Sequence, residues 1–411
     1  WQGYVEEHLL PRLHGFEILM ASYAVAHLKL DMQLRNMGYD SSTAKNQRLR
    51  IYLTNSLEEC HPDTGTLWAH WLSAEANQAN YIKRDCPVMV MVGNPPYSGE
   101  SQNKGEWIMR LMEDYKKEPG GKEALKERNP KWINDDYVKF IRLAQSYIER
   151  NKMGVIGFIN PHGYLDNPTF RGMRWNLLKT FDKIYTIDLH GNSKKKETCP
   201  DGSKDENVFD IMQGVSINIF VKTGEKAANA LGKVFHKDLF GLREDKYDFL
   251  CNHTLETTGY EELKPQAPMY LFVPQDKQLK ECYDLGVSVS ALFPISSVGV
   301  VTAKDSVLIA NTIGELKQQV HAYYQIEPNN NCIQSISYRP FDNKYIYYDV
   351  DKIERAREKV MRHLIGNENI GLITARSNKS TVECSHFFIS NQMSEAKCGE
   401  RTTQSCIFPL Y

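Results

Sequence analysis

Over the first two-thirds of the chain, short apolar runs alternate with amphipathic stretches. Residues 13–17 (LHGFE) predict a short strand ending in a carboxylate, and residues 18–34 carry apolar side chains at helical spacing. Residues 51–54 predict a strand, 68–83 a helix, and 87–92 (PVMVMV) a buried strand. The pattern continues with a helix at 135–150, a strand at 153–159, a helix at 168–180, a strand at 183–189 and a β-rich run at 214–222. Strand–helix alternation of this kind predicts a mostly parallel sheet covered by helices on both faces. Strands that are apolar throughout, rather than at every second position, point the same way. From about residue 263 the pattern changes. Turn residues become denser (Pro265, Pro268, Pro274), and short β-prone runs follow at 296–301, 333–338, 345–348 and 369–374. A second, mixed α+β unit is expected there, dividing the chain into 1–262 and 263–411.

Composition narrows the class. The chain is 41% hydrophobic and 25% charged, which suits globular units with real cores. No apolar run approaches the ~18 residues of a membrane span. The formal net charge is −1, so contact with nucleic acid would need a locally basic face. Lys194-Lys195-Lys196, inside the polar segment 192–206, offers one; the same segment also reads as an ordinary solvated loop. The nine cysteines form no C-x-x-C pair and no zinc-ligand spacing, which fits reduced thiols and a cytoplasmic location. His162, His190 and His386 show no metal or triad pattern, so no metal is expected. The chain opens on Trp1 rather than Met and closes after Phe408-Pro409-Leu410, and both ends read as cuts.

The segment richest in chemistry is Gly93-Asn94-Pro95-Pro96-Tyr97, directly after the apolar run 87–92. Ligands of open α/β sheets bind beyond the carboxyl ends of strands. Asn94 precedes proline and is pushed toward extended backbone. Pro95 and Pro96 fix two φ angles and remove two donors. The result is a stiff corner displaying one carboxamide, free carbonyls and an aromatic ring; an ordinary surface turn is the plainer reading. Such a corner suits a planar exocyclic amine. The Asn94 side-chain oxygen and the Pro95 carbonyl can accept its two N–H groups, localising a lone pair otherwise delocalised into the ring. Tyr97 offers a face on which an extruded base can stack.

With that motif in place, the chain resembles the amino-methyltransferases marked by Asn/Asp-Pro-Pro-Tyr/Phe. More narrowly, it resembles the methyltransferase portion of single-polypeptide, Type I-like (Type ISP) restriction–modification enzymes. The resemblance rests on the blocks at 9–30, 51–59, 93–99, 135–145, 154–174, 188–197 and 207–222. It implies a Rossmann-like, S-adenosylmethionine-dependent sheet followed by a target-recognition region. It further implies adenine-N6 methylation of double-stranded DNA, with a nuclease and a helicase-like translocase covalently linked upstream. By the same resemblance, Asn94, Pro95, Pro96 and Tyr97 form the catalytic loop, Glu17 binds the cofactor ribose and Asn55 its adenine. Phe209 helps hold the flipped base, and Arg339 contacts bases or phosphate; Lys195 is a candidate DNA-backbone contact from the charge of its own segment. The alternatives are a helix N-terminal carboxylate for Glu17, a turn or cap for Asn55, and a core aromatic for Phe209. Arg339-Pro340-Phe341 with Tyr345, Tyr347 and Tyr348 resembles a recognition-region block, although alternating strand aromatics also build cores. The family's glycine-rich cofactor loop and its strand should precede Glu17 but are missing from the sixteen residues there, so the chain is expected to be a fragment.

Two other classes share parts of this pattern. Methyltransferases acting on protein glutamine or RNA guanine use the same corner, but usually without a large downstream region. An Asn-Pro-x-Tyr docking peptide would require an exposed, flexible segment.

Overall fold

The computed structural model describes all residues except 41, 43–47, 60–68, 128–129, 228, 367, 376–386 and 400–402, and leaves the side chains of 69–74 and 277 undescribed. His386 and the first residue of the helix expected at 68–83 lie outside the described residues. The chain divides into two compact units, Trp1–Gln275 and Asp276–Tyr411.

The first unit holds two sheets. In the smaller, β1 (His14–Glu17) and β2 (Arg50–Leu53) pair in parallel. The larger has six strands: β3 (Val90–Gly93), β4 (Gly154–Pro161), β5 (Lys183–Asp188), β6 (Val215–Lys222), β7 (Lys233–Asp238) and β8 (Glu261–Leu263), in the order β3-β4-β6-β5-β7-β8. β3, β4, β5 and β7 share one direction, and β6 and β8 run against them. The expected mostly parallel sheet is therefore a mixed one. Only β3/β4 and β5/β7 are parallel neighbours, because β6 inserts antiparallel between β4 and β5.

The helices follow the apolar spacing. α1 (Met20–Asn36) and α2 (Ala69–Arg84) flank the small sheet, and α3 (Glu106–Met112) precedes α4 (Asp136–Asn151). Val138, Ile141, Ala144 and Ile148 recur every three or four residues along α4, all buried in the main core with Ile156, Phe158 and Phe220 of the sheet. α5 (Arg171–Thr180) adds Met173 and Leu177 to that core, and α6 (Arg243–Asn252) follows β7.

Two expectations change. The run 87–92 is not a buried strand: β3 is the edge of its sheet, and Val90 and Val92 are exposed, Val92 to 82%. Among the described residues β3 pairs only with β4, which leaves its other edge unpaired, and its Met91 alone packs on the apolar clusters while Val90 and Val92 face outward. The unit boundary falls at 275 rather than 262. Phe272 lies in the first unit's core, and the buried Arg174 guanidinium donates to the Met269 carbonyl.

The second unit has two four-stranded sheets, ordered β10-β12-β11-β15 and β14-β13-β16-β9. Their strands are β9 (Ser297–Val298), β10 (Ile309–Ala310), β11 (Ile333–Arg339), β12 (Asp342–Tyr347), β13 (Gly371–Ala375), β14 (Phe387–Ser390), β15 (Met393–Ser394) and β16 (Ser405–Pro409). α7 (Ile313–Tyr324) starts at a reciprocal cap: Thr312 accepts the Glu315 N–H and Glu315 accepts the Thr312 N–H. Ile336, Ile346 and Tyr347 from the β11–β12 hairpin meet Leu316 and Val320 of α7 in one core.

Candidate functional site

Asn94 follows the last residue of β3, on the sheet edge where β4, β5 and β7 also end. Asn94 and Pro96 are exposed, Pro95 is buried and Tyr97 is half-buried. The Tyr97 hydroxyl donates to the Asn94 side-chain oxygen at 2.7 Å, with the Ile159 carbonyl 3.4 Å from the same hydroxyl. Burial pushes the Tyr97 phenol up to about 12, so it remains a donor at neutral pH. Its ring packs on two apolar clusters, the main core and one formed by Ile187, Leu189, Val208 and Val215. Phe209 packs on that second cluster as well, placing both sequence-predicted aromatics around one apolar patch. An anchored Tyr97 does not fit the exposed, flexible segment that a docking peptide needs.

The chain beyond Tyr97 is pinned to the start of α4. Asp135 accepts the Ser98 N–H at 3.1 Å. Asp136 accepts the Ser101 hydroxyl at 2.5 Å and the Asn103 amide at 3.0 Å. The buried Lys139 ammonium donates to Ser101 Oγ at 2.6 Å and to the Asn103 carbonyl. Burial raises the Asp135 pKa to about 6, against the Ser98 N–H, which lowers it. The same network reaches the predicted cofactor residue: Asn55 Nδ2 donates to Asn103 Oδ1 at 2.9 Å. No spacing rule marks Asp135, Asp136 or Lys139, whose roles depend on a loop more than thirty residues away.

Glu17 ends β1. Its Oε1 accepts the Ile18 and Leu19 N–H groups, both at 2.9 Å, at the start of α1. Asn55 Oδ1 accepts the Leu57 N–H at 3.0 Å, a turn of its own making. Both residues thus make the local bonds expected of a helix-start carboxylate and a turn residue.

The remaining predicted contacts are scattered. Lys195 is exposed, with Nζ 3.6 Å from Asp166. In the second unit Arg339 is tied to Glu395 and lies over the Tyr338 ring, with Cζ 4.0 Å from its centroid. Tyr347 is core, whereas Phe341 at the hairpin turn is 95% exposed with a left-handed φ of 61°.

The fold also assembles a cluster that the sequence does not announce. His162 follows β4, Asp188 and His190 stand at the end of β5, and Asp238 closes β7. His162 Nδ1 lies 2.9 Å from Asp188, and His190 Nε2 lies 2.9 Å from Asp238. His190 Nδ1 faces Glu197 at 3.4 Å. Burial alone would lower the His190 pKa. Its bonds to Asp238 and Glu197 and the charge of Asp188 prevail and raise it to about 9. Two glycines permit this packing. A Cβ at Gly214 would lie 2.4 Å from the His162 ring. Gly191, at φ 75°, would place one 2.4 Å from the Asn207 backbone. Lys246, fully buried, binds Asp205 at 2.7 Å together with the Leu189 and Glu206 carbonyls, fastening the loop from β5 to Asn207.

Each family match falls within one of the two units. Residues 12–194 match the family model of the Eco57I restriction-modification methylase, and residues 315–411 match that of the Type ISP C-terminal specificity domain. The structure is similar to that of the ATP-dependent Type ISP restriction-modification enzyme LlaBIII bound to DNA. There the TM-score is 0.68 and the identity 20%, over 99% of this chain and 29% of that one. It is similar to the DrdV–DNA complex, with TM-score 0.66 and 20% identity over 100% of this chain and 44% of that one. It is also similar to a nuclease-deletion mutant of the Type ISP enzyme LlaGI with a DNA substrate mimic, with TM-score 0.65 and 19% identity over 97% and 36% of the two chains. The chain therefore spans less than half the length of each. No curated protein matches it. None of the described helices is long and apolar enough to cross a membrane. Residues 12–194 are thus similar to Eco57I restriction-modification methylases, and residues 315–411 to Type ISP C-terminal specificity domains.

Proposed function

We propose that this chain is the catalytic and target-reading part of a longer, cytoplasmic Type ISP restriction–modification enzyme. Its reaction is methyl transfer from S-adenosylmethionine to N6 of an adenine flipped out of double-stranded DNA. One observation carries the reading: a rigid Asn94-Pro95-Pro96-Tyr97 corner at a strand's carboxyl end, with Tyr97 and Phe209 on a common apolar patch. The match to a Type ISP specificity domain, together with the DNA in the similar solved structures, favours DNA over protein glutamine or RNA guanine.

In this mechanism the target base lies against Tyr97 and Phe209. Asn94 Oδ1 and the Pro95 carbonyl accept the two N6 hydrogens and draw the nitrogen toward tetrahedral geometry. Its lone pair attacks the methyl carbon. S-adenosylmethionine bound there would supply the methyl group, its sulfonium becoming a neutral thioether as the C–N bond replaces the C–S bond, and the proton lost from N6 would pass to water. Asn55 contacts the cofactor's adenine. Glu17 uses Oε1 locally, and the reading gives the ribose hydroxyls its other oxygen. Lys195 contacts the DNA backbone, and Arg339 with Phe341 reads the target. Nuclease and helicase-like translocase activities belong to the remainder of the enzyme.

The test is methyl transfer from labelled S-adenosylmethionine to duplex DNA by the full-length enzyme, with the modified base identified by mass spectrometry. N6-methyladenine lost in Asn94→Ala, with cofactor affinity kept, is the expected result. Transfer by Asn94→Ala at near wild-type rate, or methyl groups found only on cytosine or protein, would overturn it.

A further inference from the structure

The cluster at the ends of β4, β5 and β7 takes no part in the proposed methyl transfer, and its hydrogen bonds have a recognisable direction. His162 Nδ1 faces Asp188, while the Asn192 side-chain amide nitrogen lies 3.1 Å from His162 Nε2. An amide N–H only donates, so Nε2 carries the lone pair and Nδ1 the proton, and a metal ion at Nε2 would displace the Asn192 amide from it. At His190, Nε2 faces Asp238 at 2.9 Å and Nδ1 faces the Glu197 carboxylate at 3.4 Å. Each imidazole is thus backed by an aspartate on one nitrogen, the arrangement that orients metal-binding histidines and raises their basicity. One ligand atom from each of His162, His190 and Glu197 lies within 4.8 Å of the others. Donors about 2.0–2.2 Å from one tetrahedral ion stand roughly 3.3–3.6 Å apart, and the His190–Glu197 separation of 3.4 Å already meets that spacing.

Charge and space agree. Asp188, Glu197 and Asp238 bring three carboxylates to a cavity of about 280 Å³ that the two histidines and Lys195 also line. Lys195 is the only lysine or arginine among its lining residues, and its ammonium lies 3.6 Å from Asp166, another carboxylate on the same wall. His190 lies between these carboxylates and offsets part of their charge as an imidazolium; a divalent ion would take the place of its Nδ1 proton.

We propose that His162, His190 and Glu197 bind a divalent first-row transition ion, with Asp188 and Asp238 orienting the two imidazoles. Two nitrogens and a carboxylate suit zinc and its neighbours rather than calcium or magnesium. The ion clamps the turn 190–197 to the sheet. It therefore fixes the segment bearing Lys194–Lys196, whose continuation is held by Asn207 through the Gly191 and Gln213 carbonyls next to Phe209. The site is independent of the methyl-transfer reading, since its readout is metal alone.

The experiment uses the 411-residue chain, stripped with a chelator and dialysed against Zn2+. Elemental analysis is expected to find one zinc per chain, and Co2+ in its place should show the visible bands of a histidine-ligated ion. His190→Ala and Glu197→Gln should lose the metal, and Asp238→Asn should bind it about 10–100-fold more weakly. The exposed His253→Ala control should bind it unchanged. Circular dichroism confirms folding; a variant that fails to fold leaves the wild-type Co2+ spectrum as the deciding measurement. A folded wild-type chain that retains no stoichiometric metal overturns the proposal. So does zinc retained undiminished by folded His190→Ala and Glu197→Gln.

Discussion

The Tyr97 hydroxyl donates a 2.7 Å hydrogen bond to the carboxamide oxygen of Asn94, the atom proposed to accept the target amine. Carboxamide oxygen has two lone pairs, so one can remain with Tyr97 while the other meets the substrate. The bond also fixes the rotation of an exposed side chain whose backbone is already stiffened by Pro95. Tyr97 thus has two separable parts in the proposed mechanism: a hydroxyl that orients Asn94 and a ring that stacks on the base.

Three substitutions separate these parts. Tyr97→Phe removes one neutral hydrogen bond, worth about 0.5–1.5 kcal/mol, and should slow single-turnover methylation by about tenfold or less. Tyr97→Ala also removes the stacking surface and should cost ~10²-fold. Asn94→Ala, which removes the dipole aimed at the reacting amine, should cost at least ~10²–10³-fold. If Tyr97→Phe proved as damaging as Asn94→Ala, the division of labour would be wrong.

Asp135 makes stability depend on pH in a known direction. Its pKa is about 6 in the folded chain and near 4 when unfolded. Between those values the folded state holds the extra proton, so this residue's contribution is fully present below pH ~4 and is lost as pH rises through ~6. Asp135→Asn keeps an acceptor for the Ser98 N–H without the ionisation. Urea melts from pH 4 to 7 should show a flatter stability profile for the variant, and a variant profile parallel to that of wild type would count against the assignment.

Lys139 ties the loop after Tyr97 to α4. Lys139→Met keeps the apolar stem but leaves the Ser101 hydroxyl and Asn103 carbonyl without their charged donor, at about 1.5–3 kcal/mol for each such bond. Hydrogen exchange should accelerate across residues 98–103 while β6 at the centre of the sheet stays protected. Uniform loss of protection would mean that Lys139 supports the whole unit rather than this loop.

Phe341 combines full exposure with a left-handed backbone, a combination that favours neither solubility nor stability. Left-handed φ costs a non-glycine residue about 1–2 kcal/mol. Phe341→Gly should therefore leave thermal stability unchanged or raise it by up to ~1 kcal/mol. If Phe341 stacks on a base, the same change should weaken binding to target DNA by about 10–100-fold, the worth of one stacking contact. Fluorescence anisotropy on target and scrambled duplexes reads this out, and unchanged affinity would remove Phe341 from the recognition surface.

Much of the molecule follows from neighbours close in sequence. The Asn94–Tyr97 corner is written in four adjacent residues whose φ limits and donor losses act locally. The helices at 136–151 and 171–180 and the strands at 154–161 and 183–188 follow from apolar spacing that each segment carries itself. The Asx turn at Asn55 and the carboxylate at the start of α1 are equally local. Strand order is not. That β6 lies antiparallel between β4 and β5, and that β3 forms an exposed edge, depends on which backbone groups pair across long separations; an apolar run such as 87–92 looks the same with or without a neighbour. The histidine–carboxylate cluster is the clearest case. His162, His190, Glu197 and Asp238 span 77 positions and follow no motif, and they meet because three strands pointing the same way end at one edge of the sheet. Arg339 shows the converse: the sequence offers an arginine beside aromatics, and only the parallel pairing of β11 with β15 brings Glu395 close enough to claim its charge.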